Sequence, residues 1–372
     1  MPDCGNLVKA FHPSLQQLIK ELISYTGSPI SNARFRLVEV RGDRFSIKVP
    51  LAAEIVQWDI VFNLGRPRLA PDFNFNDDTF VDELNLDELK THVPDLVRWN
   101  PDEPKCLLLV IQQFIKLYKR HQIQLLQKPE FSRLLFEYSS LVEETKVVDE
   151  DLEILVGGQR RNRSICEGIN FLIRLNVNFA NLPPVRDEDD GDRRANLLVN
   201  FQLADWSRIH PKLYLSPRVE KALGPSQNYQ IPQFPSDSCL MDYVPLVINI
   251  IENEIQKLAE NFERKKKFIS LLFYYLAKSI IEYDFLTWSW ASFLLEKDNF
   301  HFLLTITFTT DFPSESPQLT FQSVYQCSYN KPYQYNTKDY QKGSNDKETI
   351  QNILSFINLY SHKFRIESEI NK

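Results

Sequence analysis

Two stretches of this chain, 246 positions apart, share one proline spacing and one strand phase, and that match restricts the fold more than any other feature. Pro67, Pro71, Phe73 and Phe75 return as Pro313, Pro317, Leu319 and Phe321. At the same offset Trp58, Ile60 and Phe62 meet Leu304, Ile306 and Phe308. Side chains alternate along a strand with a period of two, so a slip of one residue would turn all of these apolar groups to the opposite face. Prolines alone pair easily by accident. Prolines and strand phase together point to an internal duplication. Each proline sets its own φ and drives the preceding residue towards extended geometry, which makes P-x-x-x-P-x-F a stiff link between strands. The aromatic or aliphatic residues after it anchor the next strand in a core.

Around this motif the periodicity predicts a repeated order. Leu15, Leu18, Ile19, Leu22 and Ile23 give a helix over 11–25, stopped by Gly27 and Pro29. Strands follow at 35–40, 44–49, 55–62 and 73–75, then an acidic loop at 77–88. After Trp99-Asn100-Pro101 a long helix covers 103–126, with Leu107, Val110, Ile111, Phe114, Ile115 and Tyr118 as its buried stripe. The C-terminal part repeats this with a helix at 262–277, strands at 280–283, 288–295, 302–308 and 318–324, a tyrosine-rich loop at 325–342 and a helix at 346–366. In the middle, helices at 131–143 and 244–258 enclose strands at 152–156, 169–175, 196–203 and 212–215. The proline motif is missing there, so the middle is either a degenerate third copy or a separate domain. The expected class is α+β, each copy being helix, four-stranded antiparallel meander, helix. The expected domains are 1–127, 128–260 and 261–372.

Composition excludes several functions. A net charge of -6 over 372 residues lacks the basic footprint of a nucleic-acid binder. The first 25 residues show no signal-peptide pattern, and the longest apolar run, 268–277, is too short to cross a bilayer, so no membrane association is expected. Five cysteines without a CxxC pair suit a reducing compartment: cytosol, nucleus or both. With 10 glycines and no Walker or GxGxxG motif, no nucleotide cofactor is expected. The six histidines are scattered, without HExxH or Cys/His ligand spacing, so no metal site is expected either.

Pro67-x-x-x-Pro71-x-Phe73, followed by Trp99-Asn100-Pro101 and a long helix, resembles the ubiquitin-conjugating enzyme superfamily and its RWD relatives. Active members carry a catalytic cysteine between those two marks, shortly after His-Pro-Asn. Residues 77–94 contain neither. Cys327 comes ten residues after Pro317, too early for that role. Both copies therefore resemble the inactive variants, called UEV domains. A closer resemblance, to the brain and reproductive organ-expressed (BRE) family, rests on five segments: Trp58 to Asn63, Trp99 to Pro101 with Cys106 to Val110, Pro211 to Arg218, Asp242 to Pro245, and Leu319 to Tyr325. The resemblance implies a non-catalytic subunit of the BRISC deubiquitinase and of the related nuclear BRCA1-associated A complex. In such assemblies a metal-dependent protease subunit cleaves lysine-63-linked polyubiquitin. The BRE-type subunit joins an Abraxas-type scaffold to a von Willebrand A-type subunit, with two copies of each. It also implies a cytoplasmic and nuclear location. The alternative reading is a UEV module that binds ubiquitin itself.

Cys106 begins a helix, where the dipole would favour a thiolate, but Leu107-Leu108-Leu109 follow and a small buried hydrophobe is the simpler reading. The basic clusters 160–163 and 264–267 are docking patches, localisation signals or solvated surface. Tyr325, Tyr329, Tyr333, Tyr335 and Tyr340 crowd the segment that stands where active relatives carry their cysteine. Tyrosine offers large contact area at low entropic cost, so Tyr329, Tyr333 and Tyr335 are candidate partner-binding residues, the alternative being a locally packed loop.

Overall fold

The computed structural model describes residues 8–25, 35–66, 68–145, 147–157, 168–185, 191–202, 206–224, 226–309, 311–328 and 331–370. Pro67, Tyr329, the basic cluster 160–163 and most of the acidic run at 187–192 lie outside the described residues. Contacts divide the chain into two units. One comprises Met1–Val177, Arg193–Ser216 and Gln230–Ile250, the other Asn178–Asp192, Pro217–Tyr229 and Ile251–Lys372.

In the first unit, helix α1 (Gln16–Ser24) buries Leu18, Ile19 and Leu22. A meander follows, of β1 (Arg36–Arg41), β2 (Arg44–Leu51), β3 (Glu54–Val61) and β4 (Asp72–Asn74), paired in that order. Alternation sends Phe45, Ile47, Val49, Val56, Trp58 and Ile60 to one side, where all are buried. The Trp58 ring meets Phe75 edge-on at 5.2 Å and Tyr118 at 5.9 Å. The acidic segment is helical, not the expected loop: α2 (Asp78–Glu83), α3 (Leu86–His92) and α4 (Pro94–Val97). Asp77 and Asn85 cap the first two of these helices. Asp77 accepts from the Phe80 N–H, and Asn85 from the N–H groups of Asp87 and Glu88. Helix α5 (Cys106–Leu125) closes this core with Val110, Ile111, Phe114 and Tyr118.

The same unit holds α6 (Ser132–Glu144) and a second meander of β5 (Leu152–Val156), β6 (Ile169–Arg174), β7 (Ala195–Gln202) and β8 (Arg208–Leu215). A buried polar joint connects the two sheets. The Glu153 carboxylate, fully buried, accepts from the Ala52 N–H at 2.9 Å and pairs with Lys119 Nζ at 2.8 Å. Asn170 Nδ2 donates to the Ala52 carbonyl at 3.1 Å, and the Val156 N–H donates to Gln122 Oε1 at 3.0 Å.

Helix α7 (Pro217–Leu223), which the periodicity did not predict, belongs to the second unit. Helix α8 (Leu240–Leu276) begins in the first unit and ends in the second; the two helices expected at 244–258 and 262–277 are one, because no glycine or proline separates them. The C-terminal sheet has five strands, not four. These are β9 (Ile280–Tyr283), β10 (Trp290–Lys297), β11 (Phe300–Thr307), β12 (Gln318–Ser328) and β13 (Lys331–Thr337), in the order β13-β12-β11-β10-β9. The tyrosine-rich segment, expected as a loop, is the hairpin arm that adds β13. Polar and tyrosine residues alternate there, so one row can pack inward while the other stays wet. Helix α9 (Asp346–Ile370) covers the sheet with Ile350, Ile353, Ile357 and Phe364.

The two proline-marked stretches agree in register as well. Phe45 pairs with Ile60 and Ile47 with Trp58, while Ala291 pairs with Ile306 and Phe293 with Leu304, each 246 positions on. Ile60 opposite Phe73 recurs as Ile306 opposite Leu319. The connecting two-residue turns also coincide, and all four turn residues have positive φ: Ala52 at 47° and Ala53 at 64°, Asp298 at 50° and Asn299 at 59°. That pair of signs suits the right-handed twist of a tight hairpin.

Candidate functional site

The segment between β4 and α5 is framed by Pro71, Phe73 and Phe75 on one side and by Trp99 and Pro101 on the other. Pro71 is buried, Phe75 is buried, and the half-buried Phe73 ring lies 4.8 Å from Phe114. Trp99 packs at 6.4 Å from Phe62, next to a half-buried Pro101. Between these marks the side chains form one polar chain. The Tyr118 hydroxyl donates to Asp77 Oδ2 at 2.7 Å, and the Thr79 hydroxyl donates to Asp77 Oδ1 at 2.7 Å. Thr79 Oγ1 also lies 3.1 Å from His121 Nε2, whose ring Nδ1 is 2.5 Å from Glu83 Oε2. A hydroxyl, an imidazole and a carboxylate in line evoke a hydrolytic triad. Here, however, the Thr79 proton is directed to Asp77 and not to the ring. The chain ties helix α2 to helix α5, and Asp77 serves both as its hub and as the cap of α2.

Cys106, the nearest cysteine, starts α5 inside the core, and burial pushes its thiol pKa up. That opposes the thiolate a nucleophile needs. Among the described residues no group of three or more His, Cys, Asp or Glu is placed to hold a metal ion. No helix among them is long and apolar enough to cross a membrane.

In the second copy, Pro313 is half-buried and its carbonyl accepts from Lys342 Nζ at 2.8 Å. Pro317 is buried and its carbonyl accepts from the Tyr340 hydroxyl at 2.6 Å. Burial holds the Tyr340 phenol well above the usual tyrosine range. Leu319 and Phe321 are fully buried. The tyrosines do not form one surface. Tyr333 stacks on Phe364 at 5.7 Å and Tyr335 on Tyr360 at 4.9 Å, both rings on the inward row of β13. Tyr325, on β12, is more than half exposed, with its hydroxyl 2.9 Å from His301 Nδ1.

The outward faces of the two related sheets carry a matched polar pair that the motif search missed. The Ser46 hydroxyl donates to Asp59 Oδ1 at 2.6 Å, and 246 positions later Ser292 bonds Thr305 at 2.8 Å. Extending the proline offset to polar positions would have found it. Nearby, Asp284 accepts from the Leu286, Thr287 and Ser289 amides and from the Thr287 and Ser289 hydroxyls. Burial alone would raise its pKa, yet the Ser289 and Thr287 hydrogen bonds hold the carboxyl well below the usual range.

Comparison with known proteins gives one consistent answer. Residues 8–327 match the family described as Brain and reproductive organ-expressed protein (BRE). A protein of Danio rerio named "BRISC and BRCA1-A complex member 2" is 37% identical over 289 residues, covering 76% of this chain and 72% of that protein. One of Branchiostoma floridae with the same name is 31% identical over 337 residues, covering 87% of this chain and 86% of its own length.

Proposed function

This chain belongs to the Brain and reproductive organ-expressed (BRE) protein family, and we propose on that footing that it is a non-catalytic scaffold subunit of a BRISC-type deubiquitinase assembly. Its role is positional. It joins an Abraxas-type scaffold to a von Willebrand A-type subunit, so that a metal-dependent protease subunit meets lysine-63-linked ubiquitin chains, with two copies of each subunit. The observation that carries this reading is the occupation of the would-be thiol segment by the helices and polar chain centred on Asp77, with no cysteine between Pro71 and Trp99. The relatives' shared name, a complex member, supports the same role.

We read segments 1–127, 128–260 and 261–372 as three UEV/RWD-like copies, the middle one degenerate. The shared register of the outer two and the middle four-strand meander support this. The proline-framed residues are structural anchors in it. In the β12–β13 hairpin Val324 and Tyr325 are exposed large side chains open to a partner, while Tyr333 and Tyr335 set the arm's position. The assembly would work in cytoplasm and nucleus.

Affinity purification of the tagged chain, mass spectrometry and a lysine-63 chain cleavage assay on the eluate test the reading. The expected result is co-purification of a metalloprotease, an Abraxas-type and a von Willebrand A-type protein, with chelator-sensitive cleavage. An eluate without them, or a ubiquitin thioester forming on this chain with activating enzyme and ATP, would overturn it.

A further inference from the structure

The middle sheet ends on an edge strand whose chemistry no part of the scaffold reading uses. Strand β8 pairs only with β7 among the described residues. Arg208, His210 and Lys212 occupy alternate positions on it, so they share one face at about 7 Å spacing, and all three are exposed. Ile209, Pro211 and Leu213 share the other face and are half-buried. Pro211 has no N–H to give to β7, and a proline is tolerated on an edge strand with its nitrogen turned outward. By alternation, the Ile209 and Leu213 N–H groups face the free side too.

Along that edge lies a cleft of about 500 Å³ whose far wall is the segment 231–236. This wall is held in place. Phe234 packs on Phe201 at 6.3 Å and on Tyr243 at 4.8 Å, and the Tyr243 hydroxyl donates to the Pro232 carbonyl at 2.5 Å. Among the described residues no backbone hydrogen bond joins this wall to β8. The cleft lining contains Arg133, Arg208 and His210 and no aspartate or glutamate, in a chain whose net charge is -6.

We propose that the β8 edge is a docking slot for an extended acidic segment of a partner protein, which adds as a further strand. Such a segment repeats every two residues, as β8 does, so glutamates or aspartates at alternate positions face Arg208, His210 and Lys212 across about 5 Å. The apolar residues between them lie on the side of Ile209 and of the Ile231 and Phe234 wall. Main-chain pairing supplies affinity and the basic row supplies register. Pro211 limits the pairing on the free edge, which also guards the strand against self-association.

The test uses the full chain and a fluorescein-labelled peptide alternating glutamate and valine, followed by anisotropy at low and high ionic strength. Saturable binding is expected, at least about tenfold weaker in Arg208→Glu/Lys212→Glu and weakened by salt. A peptide with alternate N-methylated amides should lose binding, because charge is kept and main-chain pairing is not. Lys266→Glu/Lys267→Glu matches the charge change on another surface and should bind as the parent does. Circular dichroism checks that the exposed substitutions leave the fold intact. The proposal fails if no saturable binding occurs, if the N-methylated peptide binds equally, if both double variants lose binding alike, or if only an RNA or polyphosphate of equal charge binds.

Discussion

Removing the Glu153 carboxylate measures what the joint between the first two sheets contributes. Its Oε2 receives the Ala52 N–H at 2.9 Å and its Oε1 lies 2.8 Å from Lys119 Nζ, with the Glu153 side chain fully buried and that of Lys119 23% exposed. In Glu153→Ala the Ala52 amide keeps no acceptor, which costs about 1–3 kcal/mol. A fully buried pair broken on one side loses about 3–5 kcal/mol, but Lys119 reaches water, so about 1–2 kcal/mol is the share expected here. The total is therefore about 2–5 kcal/mol. Glu153→Gln keeps an oxygen for Ala52 and removes only the charge, so it should cost about 1–2 kcal/mol. Glu153→Leu with Lys119→Met removes both charges and should fall between the two. Urea unfolding read by tryptophan fluorescence reports the change, since Trp58 and Trp99 belong to the same unit. An alanine variant within about 1 kcal/mol of the parent, or a glutamine variant as costly as alanine, would refute the account of the joint.

The turn between β2 and β3 offers a gain. Ala53 is exposed at φ 64°, and relief of a left-handed alanine outweighs glycine's added chain entropy, so Ala53→Gly should stabilise by up to about 1 kcal/mol in a thermal melt. Replacing Tyr333 and Tyr335 together with serine removes two rings stacked on α9 and should cost about 2–4 kcal/mol by urea titration; an unchanged midpoint would free those rings for partners. Asp284 has a folded-state pKa below its unfolded value. Its contribution is therefore complete above the unfolded carboxylate range near about 4 and fades as pH falls towards the lower folded value. The stability gap between the parent and Asp284→Asn should be constant near neutrality and close in acid; a gap that widens on acidification would contradict the assignment.

The strands and long helices were legible because each buries one face and so writes its period into the residues. Trp58, Ile60 and Phe62 announce β3, and their counterparts announce β11. The helices α2 and α3 were not legible, since they are short and their stability comes from the Asp77 and Asn85 caps and from Tyr118 and His121 on another element. Strand β13 was hidden for a related reason. Its tyrosines look like surface recognition residues until Phe364 and Tyr360 arrive from α9 to cover them. The two hairpin turns make the contrast plain. Asp298-Asn299 tolerates positive φ by its own chemistry, whereas Ala52-Ala53 does so under the hold of Glu153 and Asn170, about a hundred residues away.

What the sequence determined by itself was therefore the shared strand phase of the two proline-marked stretches, the inward face of each and the absence of cysteine from residues 77–94, because alternation and residue identity are local properties of a chain. The tertiary structure decided the rest: how Tyr118 and His121 engage the 77–83 segment, which tyrosines turn inward, and how Glu153 sustains a strained turn. Those outcomes depend on hydrogen bonds and ring contacts between residues far apart in the chain, and no local pattern records them.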